Sequence, residues 1–194
     1  MRVIGLTGGI GSGKSWVAEV IREEMHWEVI YTDDVAREQM KKGGASYFAV
    51  VKEFGEEILS TDGEIDRGKL AKIVFEDKTR LMKLNSLTHP LVRTYVLNEI
   101  ARFRKENKEA VLIETALLIE AGYQEFCDEV WYVHAPESER RERLKKSRGY
   151  SDEKVDTLFV KQRNEKEFFD IATKVIENPD ETTPADIIGQ IIGR

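Results

Sequence analysis

Near its start the chain reads Gly8-Gly9-Ile10-Gly11-Ser12-Gly13-Lys14-Ser15, which satisfies the pattern G-x-x-x-x-G-K-[ST]. Each residue type there has a task in binding phosphate. Glycine lets the backbone bend tightly and turn successive N–H groups toward an anion. A helix opening at the end of the loop adds its positive dipole end and its unpaired N–H groups. Lys14 is placed to reach the β- and γ-phosphates of a nucleoside triphosphate, and the Ser15 hydroxyl to ligate Mg²⁺. Gly9, Gly11, Ser12, Gly13, Lys14, Ser15 and Trp16 form the candidate nucleotide-binding run, although Trp16, like Trp27 and Trp131, also reads simply as packing. The bland alternative is a glycine turn followed by chance by Lys-Ser. The strand pattern Val3 to Leu6 before the loop and the helical spacing of Val17, Val20 and Ile21 after it argue against chance.

The dinucleotide pattern G-x-G-x-x-G does not occur in this loop. A GTPase would need Asn-Lys-x-Asp, but Asn107-Lys108 continues Glu109-Ala110. What remains is a kinase of a small molecule, which needs an acceptor-side carboxylate, an acceptor-binding insertion and a basic lid that excludes water. Asp33 follows the second strand, where doubly wound sheets place their ligands. It would accept a hydrogen bond from the acceptor hydroxyl and take its proton; the alternative is a helix N-cap, a role that also suits Asp34. Arg140, Arg143 and Arg148 offer bidentate forks to the ATP phosphates, or else form a solvated helix face paired with Glu139 and Glu142. Arg67 and Lys69 are candidates for the acceptor's phosphates. His89, before Pro90, reads either as an acceptor contact or as a buried structural histidine at a helix start. Glu114 ends an apolar strand and would hold a Mg²⁺-bound water, or is only a strand-end carboxylate. Asn178 follows the last strand and is a candidate neighbour of the nucleotide base.

The elements that must position these residues are short apolar strands separated by helical stretches: Val3 to Leu6, Glu28 to Tyr31, Val111 to Ile113, Val130 to Val133 and Val175-Ile176. That alternation predicts an α/β fold with a parallel sheet. A closing helix is expected from about Pro184 through Ile192. About 75 residues of helical pattern separate the second and third strands. They carry one stripe at Tyr47, Phe48, Val51 and Phe54 and another at Leu91, Tyr95, Val96, Ile100 and Phe103. They are read as an inserted helical subdomain, with a second, irregular and basic insertion at 139–148.

At 194 residues the chain fits one globular domain that needs no disulfide, and Cys127, its only cysteine, cannot form one within the chain. Thirty basic against 36 acidic residues give a net charge of −6, which argues against a dedicated nucleic-acid partner. His26 and His134 lack companions that would suggest a metal site. No run approaches the roughly 20 apolar residues of a membrane span, so no membrane role and a cytoplasmic location are expected.

Taken in order, the motifs resemble those of the dephospho-CoA kinase family over nearly the whole chain. The segment Gly5 to Ser15 is similar to that family's P-loop, and Val29 to Arg37 to its Asp-x-Asp stretch. Phe54-Gly55, Asp62-Gly63, Arg67 with Leu70-Ala71, Val74-Phe75, His89-Pro90, Ala116-Leu117-Leu118-Ile119-Glu120, Gln162 and Asn178 follow in the family's order. The resemblance implies transfer of the γ-phosphoryl of ATP, with Mg²⁺, to the ribose 3′-hydroxyl of dephospho-CoA, and it adds Leu117 to Arg67 and His89 as acceptor-side residues. It implies a P-loop NTPase fold with a five-stranded parallel sheet, a nucleotide-binding core at 1–33, 91–138 and 166–194, a helical acceptor-binding insertion at 34–90, and a lid at 139–165. A monomer is the expected state. This chain departs from the family pattern at Tyr31, Glu114, Ala116 and Thr173, and Arg143 and Arg148 stand five apart where the family's lid arginines stand four apart. Those departures keep two other readings open: a kinase of another small alcohol or nucleotide, and a nucleotide-binding regulatory module with weak activity.

Overall fold

Arg2–Gly8 form β1, buried from Val3 onward, and deliver the chain directly into the glycine loop. The computed structural model describes residues 1–162 and 164–193; Arg163, within the span expected as a lid, and Arg194, at the end of the expected core, lie outside them. Helix α1 (Lys14–Met25) begins at Gly13, which is left-handed at φ 83°, and buries Val17, Ala18, Val20 and Ile21 along one face. It stops at His26, also left-handed, and β2 (Glu28–Tyr31) follows. Past the helical segment come β3 (Ala110–Glu114), buried throughout, and β4 (Glu129–His134). The last strand, β5, is Lys174–Glu177. The strands lie in the order β2-β3-β1-β4-β5, a five-stranded parallel sheet with β1 at its centre.

Register decides what meets at the sheet's C-terminal edge. Leu6 pairs with Glu114, and Gly8 with Val133. The loop that follows Gly8 is therefore flanked by the end of β3 on one side and the end of β4 on the other. Open parallel sheets bind ligands at that edge.

The chain divides into two compact units, Met1–Ile30 with Phe103–Arg194, and Tyr31–Arg102. In the second unit, α2 (Thr32–Gln39) follows β2 without a break, and α3 (Tyr47–Phe54) and α4 (Arg67–Glu76) pack through Val50, Phe54, Ile58, Leu70 and Val74. Helix α5 runs unbroken from Lys78 to Lys105, with Pro90 inside it. A proline there removes one i→i−4 hydrogen bond, yet the residues on either side hold the helix. His89 thus sits mid-helix and not at a helix start.

The basic stretch after β4 is a regular helix, α6 (Glu137–Arg148), and not an irregular insertion. Its ends explain this: Pro136 precedes it, Glu137 and Glu139 lie in the first turn, Lys145, Lys146 and Arg148 in the last, and left-handed Gly149 closes it. Helices α7 (Asp152–Lys161) and α8 (Glu165–Ile171) complete the segment. The final helix, α9 (Pro184–Ile192), starts with a Thr183–Asp186 capping box and packs on α1 with Ile187 fully buried. Among the described residues no helix is long and apolar enough to cross a membrane.

Candidate active site

Gly11 and Gly13 adopt φ of 79° and 83°, a left-handed backbone that side-chain-bearing residues avoid. Space is also lacking: a Cβ on Gly11 would come 2.7 Å from the Arg140 carbonyl, and one on Gly13 would collide with Asn178 Nδ2. The two turns make the loop double back so that it ends in the first turn of α1, whose N–H groups have no intrahelical acceptor. Ser12 is buried, and its hydroxyl has no hydrogen-bond partner among the described residues.

Lys14 and Ser15 open α1 and converge on one buried carboxylate. Glu114 Oε1 accepts a hydrogen bond from Ser15 Oγ at 2.9 Å and lies 3.3 Å from Lys14 Nζ. Glu114 is 3% exposed. A serine hydroxyl beside a buried carboxylate is a hard-oxygen donor pair, which suits Mg²⁺. Among the described residues no group of three or more His, Cys, Asp or Glu could enclose an ion alone. An ion at this pair would take its other ligands from phosphate and water, as Mg²⁺ does in phosphoryl-transfer sites.

The back of the loop is braced by donors from α6 and from the end of β5. Asn178 Nδ2 donates to the Ser12 carbonyl at 2.7 Å, and its own N–H to the His134 carbonyl at 2.7 Å. Arg143 donates to the Ser12 carbonyl at 3.3 Å, to the Asn178 carbonyl at 2.8 Å and to Asp180 at 2.8 Å. Arg140 is buried and donates through Nε to the Ile10 carbonyl at 2.9 Å. Its Nη2 donates to Gln162 Oε1 at 2.9 Å, and Nη1 lies 3.5 Å from Glu165. Carbonyls drawn outward by these donors leave the opposite edge of the loop to its N–H groups, the arrangement of an anion nest.

The residues expected from sequence fall into three groups. Gly9, Gly11, Ser12, Gly13, Lys14, Ser15, Glu114 and Asn178 meet at the loop. Trp16 is next to them on α1 but 40% exposed, unlike Trp27, which packs on Trp131 in the core. Arg140 and Arg143 also reach the loop, but from behind, through backbone carbonyls and carboxylates. In this arrangement the Arg140 nitrogens are taken by the Ile10 carbonyl, Gln162 and Glu165, so the side chain meets the loop through its backbone. Arg148 is the last residue of α6 and is exposed, with no hydrogen bond or ion pair among the described residues. Leu117, exposed, follows Thr115 after β3.

The third group belongs to the helical unit. Asp33 lies exposed in the first turn of α2. Neither it nor Asp34 is the N-cap, which is Tyr31; Asp34 pairs instead with Arg37 at 2.5 Å. Arg67 opens α4, where Asp66 caps the N–H groups of Gly68 and Lys69. It lines a pocket of about 280 Å³ with Arg37, Lys41 and Glu64 and the apolar Met40, Ile65 and Leu70. His89 is half-buried on α5. Arg37 and Lys41 were not expected at a site, because their distance from Arg67 in sequence hides the shared pocket. Gln162 had a place in the motif order but no role. Its bond to the loop spans about 150 residues, and no local spacing signals such a contact.

A model of the dephospho-CoA kinase family matches residues 2–183. The chain belongs to that family. It is 37% identical over 176 residues to the dephospho-CoA kinase of Carboxydothermus hydrogenoformans, an overlap covering 91% of this chain and 85% of the relative. To the dephospho-CoA kinase of Moorella thermoacetica it is 45% identical over 145 residues, covering 74% and 68%. The solved dephospho-CoA kinase from Campylobacter jejuni superposes with a TM-score of 0.71 at 25% identity, covering all of this chain and 95% of that one. Family membership gives the glycine loop its ligand class, a nucleoside triphosphate that donates a phosphoryl group.

Proposed function

We propose that the protein transfers the γ-phosphoryl group of ATP to the ribose 3′-hydroxyl of dephospho-CoA, yielding CoA and ADP in the last step of CoA biosynthesis. The observation that carries this reading is the family match over residues 2–183, on a chain whose loop presents Lys14 and Ser15 as that chemistry requires.

The loop N–H groups and the start of α1 hold the β-phosphate. Lys14 moves from Glu114 to the β- and γ-phosphates and neutralises charge as the transferring group loosens from ADP. Ser15 and, through a water, Glu114 would hold Mg²⁺, which when bound draws charge from the phosphate oxygens. The 3′-oxygen forms its bond to the γ-phosphorus as the bond to the β-phosphate oxygen breaks, and ADP leaves with that electron pair. The hydroxyl proton passes to the Asp33 carboxylate, whose larger task is to orient the attacking oxygen. Arg67, with Arg37 and Lys41, suits the diphosphate of the acceptor, and Met40, Ile65 and Leu70 suit its apolar stretches. His89 and Leu117 belong to the acceptor side. Arg148, exposed at the end of α6, supplies cationic charge to the phosphates when nucleotide is bound, and Arg143 adds its charge from behind the loop. The protein works in the cytoplasm as a monomer, without membrane or nucleic acid.

Mass spectrometry of a reaction containing ATP, Mg²⁺ and dephospho-CoA tests the reading. The expected product is dephospho-CoA heavier by one phosphoryl group and removable by a 3′-nucleotidase. A product phosphorylated elsewhere, or unmodified acceptor beside consumed ATP, would contradict it.

A further inference from the structure

Arg140 combines features that a phosphate-gripping arginine does not need. Its side chain is only 7% exposed. The guanidinium lies over the Phe159 ring at 4.7 Å, and each of its nitrogens has a protein partner: the Ile10 carbonyl, Gln162 Oε1 and Glu165. Glu165 is fixed in turn by the Tyr132 hydroxyl at 2.7 Å. Gln162 Oε1 also accepts the Ile10 N–H at 3.2 Å. The ring closes on one residue and ties down the two peptide units that flank it. Arg140 takes the carbonyl of Ile10, Gln162 takes its N–H, and the two side chains bond to each other. The guanidinium lies so close over the loop that a Cβ on Gly9 would collide with Nη2.

We infer that Arg140 is a positioning residue of the phosphate loop: with Gln162 it fixes both polar groups of Ile10 and thereby sets the loop's affinity for nucleotide without touching the nucleotide. The inference rests on the reading of the loop as the nucleotide site. Turning Ile10 N–H toward Gln162 removes that group from the anion-facing set and fixes the torsions on either side of Gly9 and Gly11. The N–H groups that follow then converge before a ligand arrives, so binding need not order them. Because the loop holds the β-phosphate alike before and during transfer, a loosened loop weakens ground state and transition state together. Lysine cannot substitute, since one ammonium lacks the planar fork that serves Ile10, Gln162 and Glu165 at once.

Calorimetric titration with ADP, together with steady-state kinetics, tests this on Arg140→Lys, Gln162→Ala and the double variant. Each single change is expected to weaken ADP binding and raise KM for ATP by roughly tenfold, the scale of one hydrogen bond to a charged group. It should leave kcat within about threefold and KM for dephospho-CoA unmoved. The double variant should be little worse than either single one, because both remove the same unit. Gln162→Ala creates no buried charge and carries the test if Arg140→Lys does not fold. A kcat loss of about 10² with ADP affinity intact would overturn the inference, since Arg140 would then act on the transferring phosphate. Unchanged ADP affinity with only a lowered Tm would overturn it as well, leaving a purely structural residue. ADP binding needs no acceptor, so a wild-type protein that binds ADP yet makes no CoA would refute the kinase reading separately.

Discussion

A single carboxylate oxygen of Glu114 holds both Lys14 and Ser15, the two side chains that a bound nucleotide would take from it. Phosphate binding is thus an exchange of partners for an already oriented lysine. Lys14→Ala should lower kcat/KM for ATP by at least about 10², and it should lower Tm as well, since the buried Glu114 carboxylate loses its cation. Turnover within tenfold of wild type would remove Lys14 from the chemistry. Asp33 differs in having an exposed carboxylate with no bond to other described residues. Asp33→Asn keeps its shape and removes its proton affinity. We expect kcat to fall by about 10² or more, while ADP affinity stays within about twofold. Loss of ADP affinity with kcat preserved would move Asp33 to the nucleotide.

At the scale of elements, α1 carries the site and its packing holds it in place. Helix α9 packs on α1 and its Ile187 is fully buried, so Ile187→Ala should destabilise the fold by about 2–5 kcal/mol in denaturant unfolding. A cost below about 0.5 kcal/mol would show that α9 is not part of the core. The strands, the glycine loop, the helix after it and α9 were legible in sequence because their signals are local: apolar runs, motif spacing, and Pro184 at a helix start. Glu114 and Asn178 were legible as chemically apt residues at strand ends, and Arg143 as one of a basic run. Their common action on the Ser12 carbonyl and on Lys14 was not, since parallel pairing brings β3, β4 and β5 together from distant parts of the chain. Two elements were misread for local reasons. The charge run at 139–148 lacks an apolar stripe, yet its caps make it a helix, and the proline within α5 concealed a helix of 28 residues.

Across the whole molecule, two weak acids held neutral by desolvation, the half-buried Cys127 and the buried Tyr132, make folding sensitive to alkali. Burial, aided by the charge of Asp128, pushes the Cys127 thiol up to about 12. Burial and the bond to Glu165 raise the Tyr132 phenol as well. A folded-state pKa above the unfolded one gives stability that is complete below the unfolded pKa and is lost as pH rises through the folded one. For Cys127 that window runs from about 9 to about 12. Denaturant midpoints should therefore fall as pH is raised above 9, and less steeply in Cys127→Ala. Parallel slopes for the two proteins would show that the thiol is not desolvated. The same burial should make Cys127 slow to alkylate at pH 8 until the protein unfolds.

Initial rates of ADP release test most directly whether this chain phosphorylates dephospho-CoA. ATP and Mg²⁺ would be held at saturation, with dephospho-CoA, shikimate, a nucleoside or no acceptor present. The expected result is Mg²⁺-dependent release that rises with dephospho-CoA alone and yields one CoA for each ADP. Folded protein that binds ADP but gives no release with dephospho-CoA, or faster release with another acceptor, would contradict it.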